Sequence, residues 1–260
     1  MIIDFHAHIY PEKIAEKATK NVGSFYNLAM TYSGLPEELI ARGSKIGVEK
    51  YIVHSTATKP EQVESINNYI IDQINKHPEF IGFGTIHPDY KDFEKELNRI
   101  KEAGLKGVKF HPDFQQFQFD DPKLSPIYET LAKLDIPVLT HAGDKRFDFS
   151  GPKRIRNVLE MHPDLTVIAA HFGGYTEWDK SMEYLVGKNV YFDTSSSLFI
   201  LSVDEAMNMI RKHGVDKFLF GTDFPMWDHE DELSRFNKLP LTEEEREMIL
   251  YKNAVKLLKL

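Results

Sequence analysis

Ile2-Ile3-Asp4-Phe5-His6-Ala7-His8-Ile9-Tyr10-Pro11 is the stretch on which the fold reading turns. A short apolar run ends on two histidines, and strand alternation places His6 and His8 on one face about two residues' rise apart. An open doubly wound sheet would carry a Gly-rich phosphate-binding turn after its first strand. Two imidazoles stand there instead, so the first strand ends in a possible ion site and not in a nucleotide cradle.

Working outward, short apolar runs alternate with longer amphipathic, charged segments to the end of the chain. That is the pattern of strands buried on both faces and joined by helices. Strands are expected at Ile2–His8, Tyr51–Ser55, Phe80–Ile86, Gly107–His111, Ile136–His141, Leu165–His171, Val190–Thr194 and Phe218–Thr222. Between them lie segments with helical spacing such as Phe93, Leu97 and Ile100. Eight alternations in 260 residues with 42% hydrophobic content predict one (β/α)8 TIM barrel over residues 1–260. Three helix ends resemble one another: His77-Pro78, His162-Pro163 and His213-Gly214 each stop a helix and launch a strand. A histidine in a last helical turn sits near the negative end of the helix dipole, so these three are read as structural. The segment from about 9 to 45 is too long for a plain connection. With Phe25, Tyr26 and Tyr32 around Gly23 and Gly34, it is a candidate lid over the barrel mouth.

A net charge of −8 argues against a nucleic-acid surface, which needs clustered Lys and Arg. The absence of cysteine excludes disulfides and thiolate metal sites, so any metal ligands must be nitrogen and oxygen. With no charged leader before Ile2 and no apolar run long enough to span a bilayer, the expectation is a cytoplasmic chain without membrane partners. Its partner is expected to be a small-molecule substrate, and a homo-oligomer is open.

Seven of the eleven histidines fall at or just beyond the C-terminal ends of the expected strands: His6, His8, His54, His87, His111, His141 and His171. Asp193 and Asp223 close the seventh and eighth strands in the same way. Barrels of this kind carry their active sites at that rim. Imidazole suits Zn2+, Fe2+ or Mn2+, and Asp223 across the closed barrel would complete a site with His6, His8 and His141. Strand-end histidines can also satisfy backbone carbonyls, so His-x-His alone says little. The full set argues for a ligand, because a rim crowded with unpaired imidazoles is costly without one.

These residues lie in motifs that resemble a known family. Asp4-Phe-His-Ala-His-Ile-Tyr-Pro11, Gly107-Val-Lys-Phe-His-Pro112, Leu139-Thr-His-Ala-Gly143, Ala170-His-Phe-Gly-Gly174 and Phe220-Gly-Thr-Asp-Phe-Pro-Met-Trp227 follow the order and spacing of the amidohydrolase superfamily over nearly the whole chain. The branch that the sequence resembles includes aminocarboxymuconate semialdehyde decarboxylase, resorcylate-type decarboxylases and pyrone dicarboxylate lactonase. The resemblance implies one divalent ion, Zn2+ before Mn2+ or Fe2+, held by His6, His8, His141 and Asp223, with His171 and Asp223 as catalytic groups. Lys109 stands where binuclear members often place a carboxylated lysine. A second ion, bound by His141 and His171, is expected only if Lys109 carries that modification. The other readings of Lys109 are an anchor for a substrate carboxylate or an ion pair with Asp113. TatD-like nucleases also open with His-x-His, but they put a glutamate at the fourth strand.

The chemistry expected first is hydrolysis of a small anionic or cyclic amide, ester or lactone by a metal-activated water, with His171 polarising the carbonyl or protonating the leaving group. The alternative from the same parts is decarboxylation of an aromatic or muconate-type acid; a phosphoesterase or a non-catalytic binding barrel ranks lower. Candidate substrate contacts are Lys109, His111, Lys145, Arg146 and Trp227. Lys145 and Arg146 could equally pair with Asp144 and Asp148 on a solvated loop. Phe114, Phe117, Phe119 and Trp227 could wall a planar ring or merely pack loops onto helices.

Overall fold

The computed structural model describes all 260 residues, with eight parallel strands in the order β1 to β8. β1 (Ile2–His8) is followed by α1 (Glu12–Tyr26) and α2 (Pro36–Gly43), β2 (Val48–His54) by α3 (Val63–Lys76), and β3 (Phe80–Thr85) by α4 (Phe93–Glu102). β4 (Gly107–Phe110) leads to α5 (Pro112–Gln115) and α6 (Ser125–Lys133), β5 (Val138–Thr140) to α7 (Pro152–Met161), and β6 (Val167–Ala169) to α8 (Trp178–Tyr184). β7 (Tyr191–Asp193) precedes α9 (Val203–His213), and β8 (Phe218–Leu219) precedes α10 (His229–Phe236), α11 (Glu243–Glu247) and α12 (Asn253–Leu258). The barrel closes where Phe5 N–H donates to Phe220 O (2.7 Å) and Asp223 N–H to His6 O (2.8 Å). No helix is long and apolar enough to cross a membrane.

Two cores hold this arrangement. The larger lies between the sheet and the ring of helices. The smaller fills the barrel with Ile3, Phe5, Ile52, Phe83, Leu139, Ile168 and Leu219, and Ala254 and Leu258 of α12 pack against it. Burying such side chains contributes about 1.5–3 kcal/mol each before chain entropy is charged against it. α9 shows how the outer helices arise. Ser202 and Glu205 form a reciprocal cap at its start, and Gly214 follows its end with φ 108°. Ala206, Met209, Ile210 and His213 are its buried face at the spacing of a helical stripe. His213 accepts from Gly187 N–H (3.0 Å) and donates to Val190 O (2.8 Å), the structural use expected of a helix-end histidine.

β1 departs from simple alternation. Asp4 pairs with Tyr51 but Ala7 with Val53, so β1 spends one residue more than β2 over the same span. This bulge lets Ile3 and Phe5 point into the barrel core while His6 and His8 also point inward at the mouth. Asp4, directed outward, accepts from Thr222 Oγ1 (2.7 Å), Thr222 N–H (3.0 Å) and His229 Nε2 (3.0 Å), and so pins β1 to β8 and α10. Several strands stop short of the expected ends. His111, His141, His171 and Asp223 lie just past their ladders, where the backbone is free to turn side chains into the mouth. The long first connection divides into two parts. α1 crosses the mouth, whereas α2 buries Leu39 in the main core and is an ordinary member of the outer ring, so a cover would extend only to about residue 35.

Candidate active site

His6, His8, Lys109, His111, His141, His171 and Asp223 line one chamber at the C-terminal mouth of the barrel, under Tyr10, Val22, Tyr26 and Met30. The support beneath it fixes the direction of each imidazole. Asp193 Oδ2 accepts from His6 Nδ1 (2.8 Å), so the Nε2 lone pair is directed into the chamber. That nitrogen lies 3.4 Å from Asp223 Oδ1, and His8 Nε2 is 3.2 Å from the same oxygen. Donors bound to one ion at about 2.1 Å stand about 3.4 Å apart in a tetrahedral set, so the two contacts to Asp223 Oδ1 have the length of edges of a coordination sphere.

On the opposite side, His171 Nδ1 is 3.1 Å from Ser195 O, a pure acceptor, which makes Nδ1 the protonated nitrogen. Nε2 therefore presents its lone pair, 3.0 Å from His141 Nδ1. Asp193 also accepts from the His171 N–H (3.0 Å) and Ser195 N–H (3.1 Å), so one buried carboxylate supports both β1 and β6. The nitrogen and oxygen donors of His6, His171 and Asp193 also cluster within 4.8 Å, but Asp193 is engaged by these hydrogen bonds, and the cluster is a brace. His171, Phe172, Ser196 and Asp223 all have φ between 47° and 62°, a left-handed conformation that costs non-glycine residues energy and concentrates at functional sites. Gly221 allows the close approach, since a Cβ there would stand 2.9 Å from His6 Cβ.

Burial sets the charge states. It lowers His171 and His8 to about 4, and it holds His141 and His111 well below the ordinary imidazole value, with neighbouring imidazoles and Lys109 adding to the effect. For Asp193 and Asp223 burial acts the other way, but the facing imidazoles and hydrogen bonds prevail: Asp193 falls to about 2 and Asp223 well below the usual carboxylate range. At neutral pH His8, His111, His141 and His171 are therefore neutral and Asp223 is ionised, the forms that bind a divalent cation. The residues present fit such an ion. His141 Nε2 is buried without a partner, with Asp113 Oδ2 at 3.9 Å, so Nδ1 is the nitrogen turned toward the other donors.

Lys109 is fully buried with Nζ 3.1 Å from His6 Nε2, and burial lowers it to about 8. The ion pair with Asp113 does not form: Asp113 Oδ2 instead accepts from Ser150 Oγ at 2.5 Å, and burial raises its carboxyl to about 7. His111 lies between His141 and Phe114 as a stack with centroid distances of 4.2 and 3.7 Å, and Tyr26 Oη is 3.2 Å from its Nε2.

Three expected substrate contacts lie elsewhere. Lys145 is exposed on the outer loop after β5 and is not among the residues lining the chamber. Arg146 forks onto Asp144, donates to Phe25 O (2.5 Å) and covers the Phe25 and Tyr26 rings, so it clamps the end of α1 to that loop. Trp227 Nε1 donates to Ser196 Oγ (2.9 Å), whose hydroxyl donates to Asp223 Oδ2, so the indole acts behind the carboxylate. Of the four ring candidates, Phe117 and Phe119 are core residues beside Phe110, and Phe114 alone borders the chamber. Asp193 is expected from sequence only as the polar end of the seventh strand, and nothing in its spacing assigns it to His6 and His171; Ser195 and Ser196, which support His171 and Asp223, carry no signal in the sequence. His54, at the end of β2, lies against His6 and His8 and was given no role.

Comparison with known proteins places this geometry among related barrels. The sequence profile of the amidohydrolase family matches residues 3–260. Gamma-resorcylate decarboxylase of Polaromonas sp. (strain JS666) is 24% identical over 254 residues, spanning 77% of each chain. The dihydroxybenzoic acid decarboxylase structure from Polaromonas sp. JS666, with bound manganese and 2-nitroresorcinol, superposes with a TM-score of 0.77 at 19% identity, covering 100% of this chain and 97% of that one. 5-Carboxyvanillate decarboxylase from Sphingomonas paucimobilis superposes with a TM-score of 0.76 at 14% identity, covering 100% and 99%.

Proposed function

The chain belongs to the amidohydrolase family, and on that premise we propose that it is a divalent-metal-dependent decarboxylase of a small aromatic or muconate-type acid. The observation that carries the metal site is the convergence of His6 Nε2, His8 Nε2 and Asp223 Oδ1 opposite His141 Nδ1 and His171 Nε2. Support for decarboxylation ahead of hydrolysis, the reverse of the order read from sequence, comes from the resorcylate, dihydroxybenzoate and carboxyvanillate decarboxylases that the chain resembles.

In this reading His6, His8, His141 and Asp223 hold one ion, and the manganese in a related structure puts Mn2+ beside Zn2+ and Fe2+ as its identity. When bound, the ion would supply a Lewis acid that anchors substrate oxygens and lowers their proton affinity. Lys109, at the floor of the chamber, anchors the substrate carboxylate, and the stacked His111 and Phe114 offer a flat wall beside it.

His171, neutral and with Nδ1–H tied to Ser195 O, starts the cycle as a proton acceptor. An acid with a hydroxyl next to its carboxylate brings the needed proton. Nε2 takes the hydroxyl proton and returns it to the ring carbon that bears the carboxylate; the C–C bond then breaks, CO2 leaves, and its electron pair restores the ring with the oxygen as phenolate, which takes a proton from water. Asp193 and Ser195 keep the imidazole aimed throughout, and Tyr26, Val22 and Met30 exclude water above it.

The test is a panel of carboxyl-13C-labelled hydroxybenzoates and muconate-type acids incubated with manganese-loaded protein. Labelled CO2 and the matching phenol are expected. Turnover of lactones or cyclic amides with no CO2 from any acid would return the site to hydrolysis.

A further inference from the structure

Among the buried histidines, one has two ring nitrogens that both lack a hydrogen-bond partner, and that is His54. Its side chain is fully buried at the end of β2. The other inward-facing rings are engaged. His111 meets Tyr26 and the Phe114 N–H, His171 meets Ser195, and His6 meets Asp193. A neutral imidazole has one donor and one acceptor, and burying both unpaired is a cost that a fold retains only where something else satisfies them.

The register of the sheet says what lies next to it. The β1 bulge sets His8 level with His54 on the neighbouring strand, both directed into the mouth. The His54 ring stands edge-on to His8 (centroids 4.4 Å, 86°) and to His6 (4.9 Å, 69°). One nitrogen from each of the three rings lies within 4.8 Å of the other two. Small side-chain adjustments bring such a trio to the spacing at which imidazoles share an ion.

We propose that His54 is a further nitrogen ligand of the divalent ion, contributed by β2 beside His6 and His8. This rests on the metal site proposed above and adds a donor to it. Four imidazoles and one carboxylate then face the ion, a nitrogen-rich set that favours Co2+ and Zn2+ over Mn2+ more strongly than three imidazoles would. It also leaves fewer positions for substrate oxygens, so an acid would be held by one ion-bound oxygen together with Lys109.

Cobalt-reconstituted protein with 15N-labelled histidine tests this by counting paramagnetically shifted imidazole signals and by chelator competition. His54→Gln is expected to lose one of the shifted imidazoles and to raise the Kd for Co2+ by about tenfold or more, at least the loss seen when only a supporting partner is removed. An unchanged signal count with an unchanged Kd would overturn the proposal. A crystal structure of the cobalt-loaded natural sequence decides it even if the variant does not fold. A His54 nitrogen about 2.1 Å from the ion is expected. An ion held by His6, His8 and Asp223 with His54 out of reach would overturn this assignment and leave the proposed function standing, whereas no bound ion would overturn both.

Discussion

The seam of strand ends that runs from β6 through β7, β8 and β1 to β2 and the loop from Gly143 to Gly151 both looked functional from their charged and polar residues, and they turned out to be different kinds of structure. At the seam, His6, His54, Asp193 and Asp223 are buried; His54 takes its direction from the β1–β2 register, His6 from the Asp193 carboxylate behind it, and Asp223 from the Ser196 hydroxyl. On the loop, Arg146 is taken by Asp144 and the end of α1, while Lys145 is exposed. Strand geometry decides where a side chain points, because backbone hydrogen bonds leave it two choices. A loop leaves the choice to whichever partner is nearest, and composition does not name that partner.

The largest effect that could break this contrast is at His171. His171→Asn is expected to keep its metal and lower kcat by about 10²–10⁴-fold, the usual contribution of a positioned proton-transfer group, while Lys145→Ala stays within about twofold of the parent. Loss of metal from His171→Asn would move the imidazole into the ligand set, and comparable losses in the two variants would erase the distinction between seam and loop.

Asp193→Asn should come next. The amide cannot replace the carboxylate as acceptor for both His6 Nδ1 and the β6 backbone, so metal affinity is expected to fall about 10–100-fold with the fold intact. Chelator competition and a thermal melt read the two effects separately. Unaltered affinity would mean that the hydrogen bond does not orient His6.

A smaller effect should appear in stability against pH. Glu232 on α10 pairs with Arg235 through one oxygen, but its other oxygen is buried without a partner, and burial raises the carboxyl to about 8 despite the pairing. The native state therefore holds a proton that the unfolded chain releases near the ordinary value of 4.5. The stability this supplies is complete below about pH 4.5 and is lost as pH rises toward 8. Glu232→Gln should flatten that fall between pH 5 and 8, as seen in the melting temperature. Parallel curves for the two proteins would show that Glu232 ionises normally.

The same contrast explains what could be read before any coordinates. Eight strands, the closed order and the histidine-rich rim follow from apolar runs and their polar ends. The β1 bulge did not, because one extra residue in a ladder has no compositional mark. Alternation correctly put His6 and His8 together but would have turned Ile3 and Phe5 away from them. His54 escaped assignment because its claim rests on the register between β1 and β2, and Trp227 was misplaced because an indole at a strand end says nothing about which group its N–H meets. The cover was located by its length and aromatic residues, yet only α1 and the segment just after it, with Met30, lie on the mouth; α2 is recognisable as an outer helix once Leu39 is seen in the core.

The central claim is that His6, His8, His141 and Asp223 hold one ion on which decarboxylation depends. The direct measurement is a titration of metal-free protein with Mn2+ while CO2 release from a substrate acid is followed. Activity should be absent without metal and rise to a plateau at one equivalent per chain. A break at two equivalents would point to a binuclear centre with Lys109 carboxylated, and CO2 release that persists without metal would contradict the account.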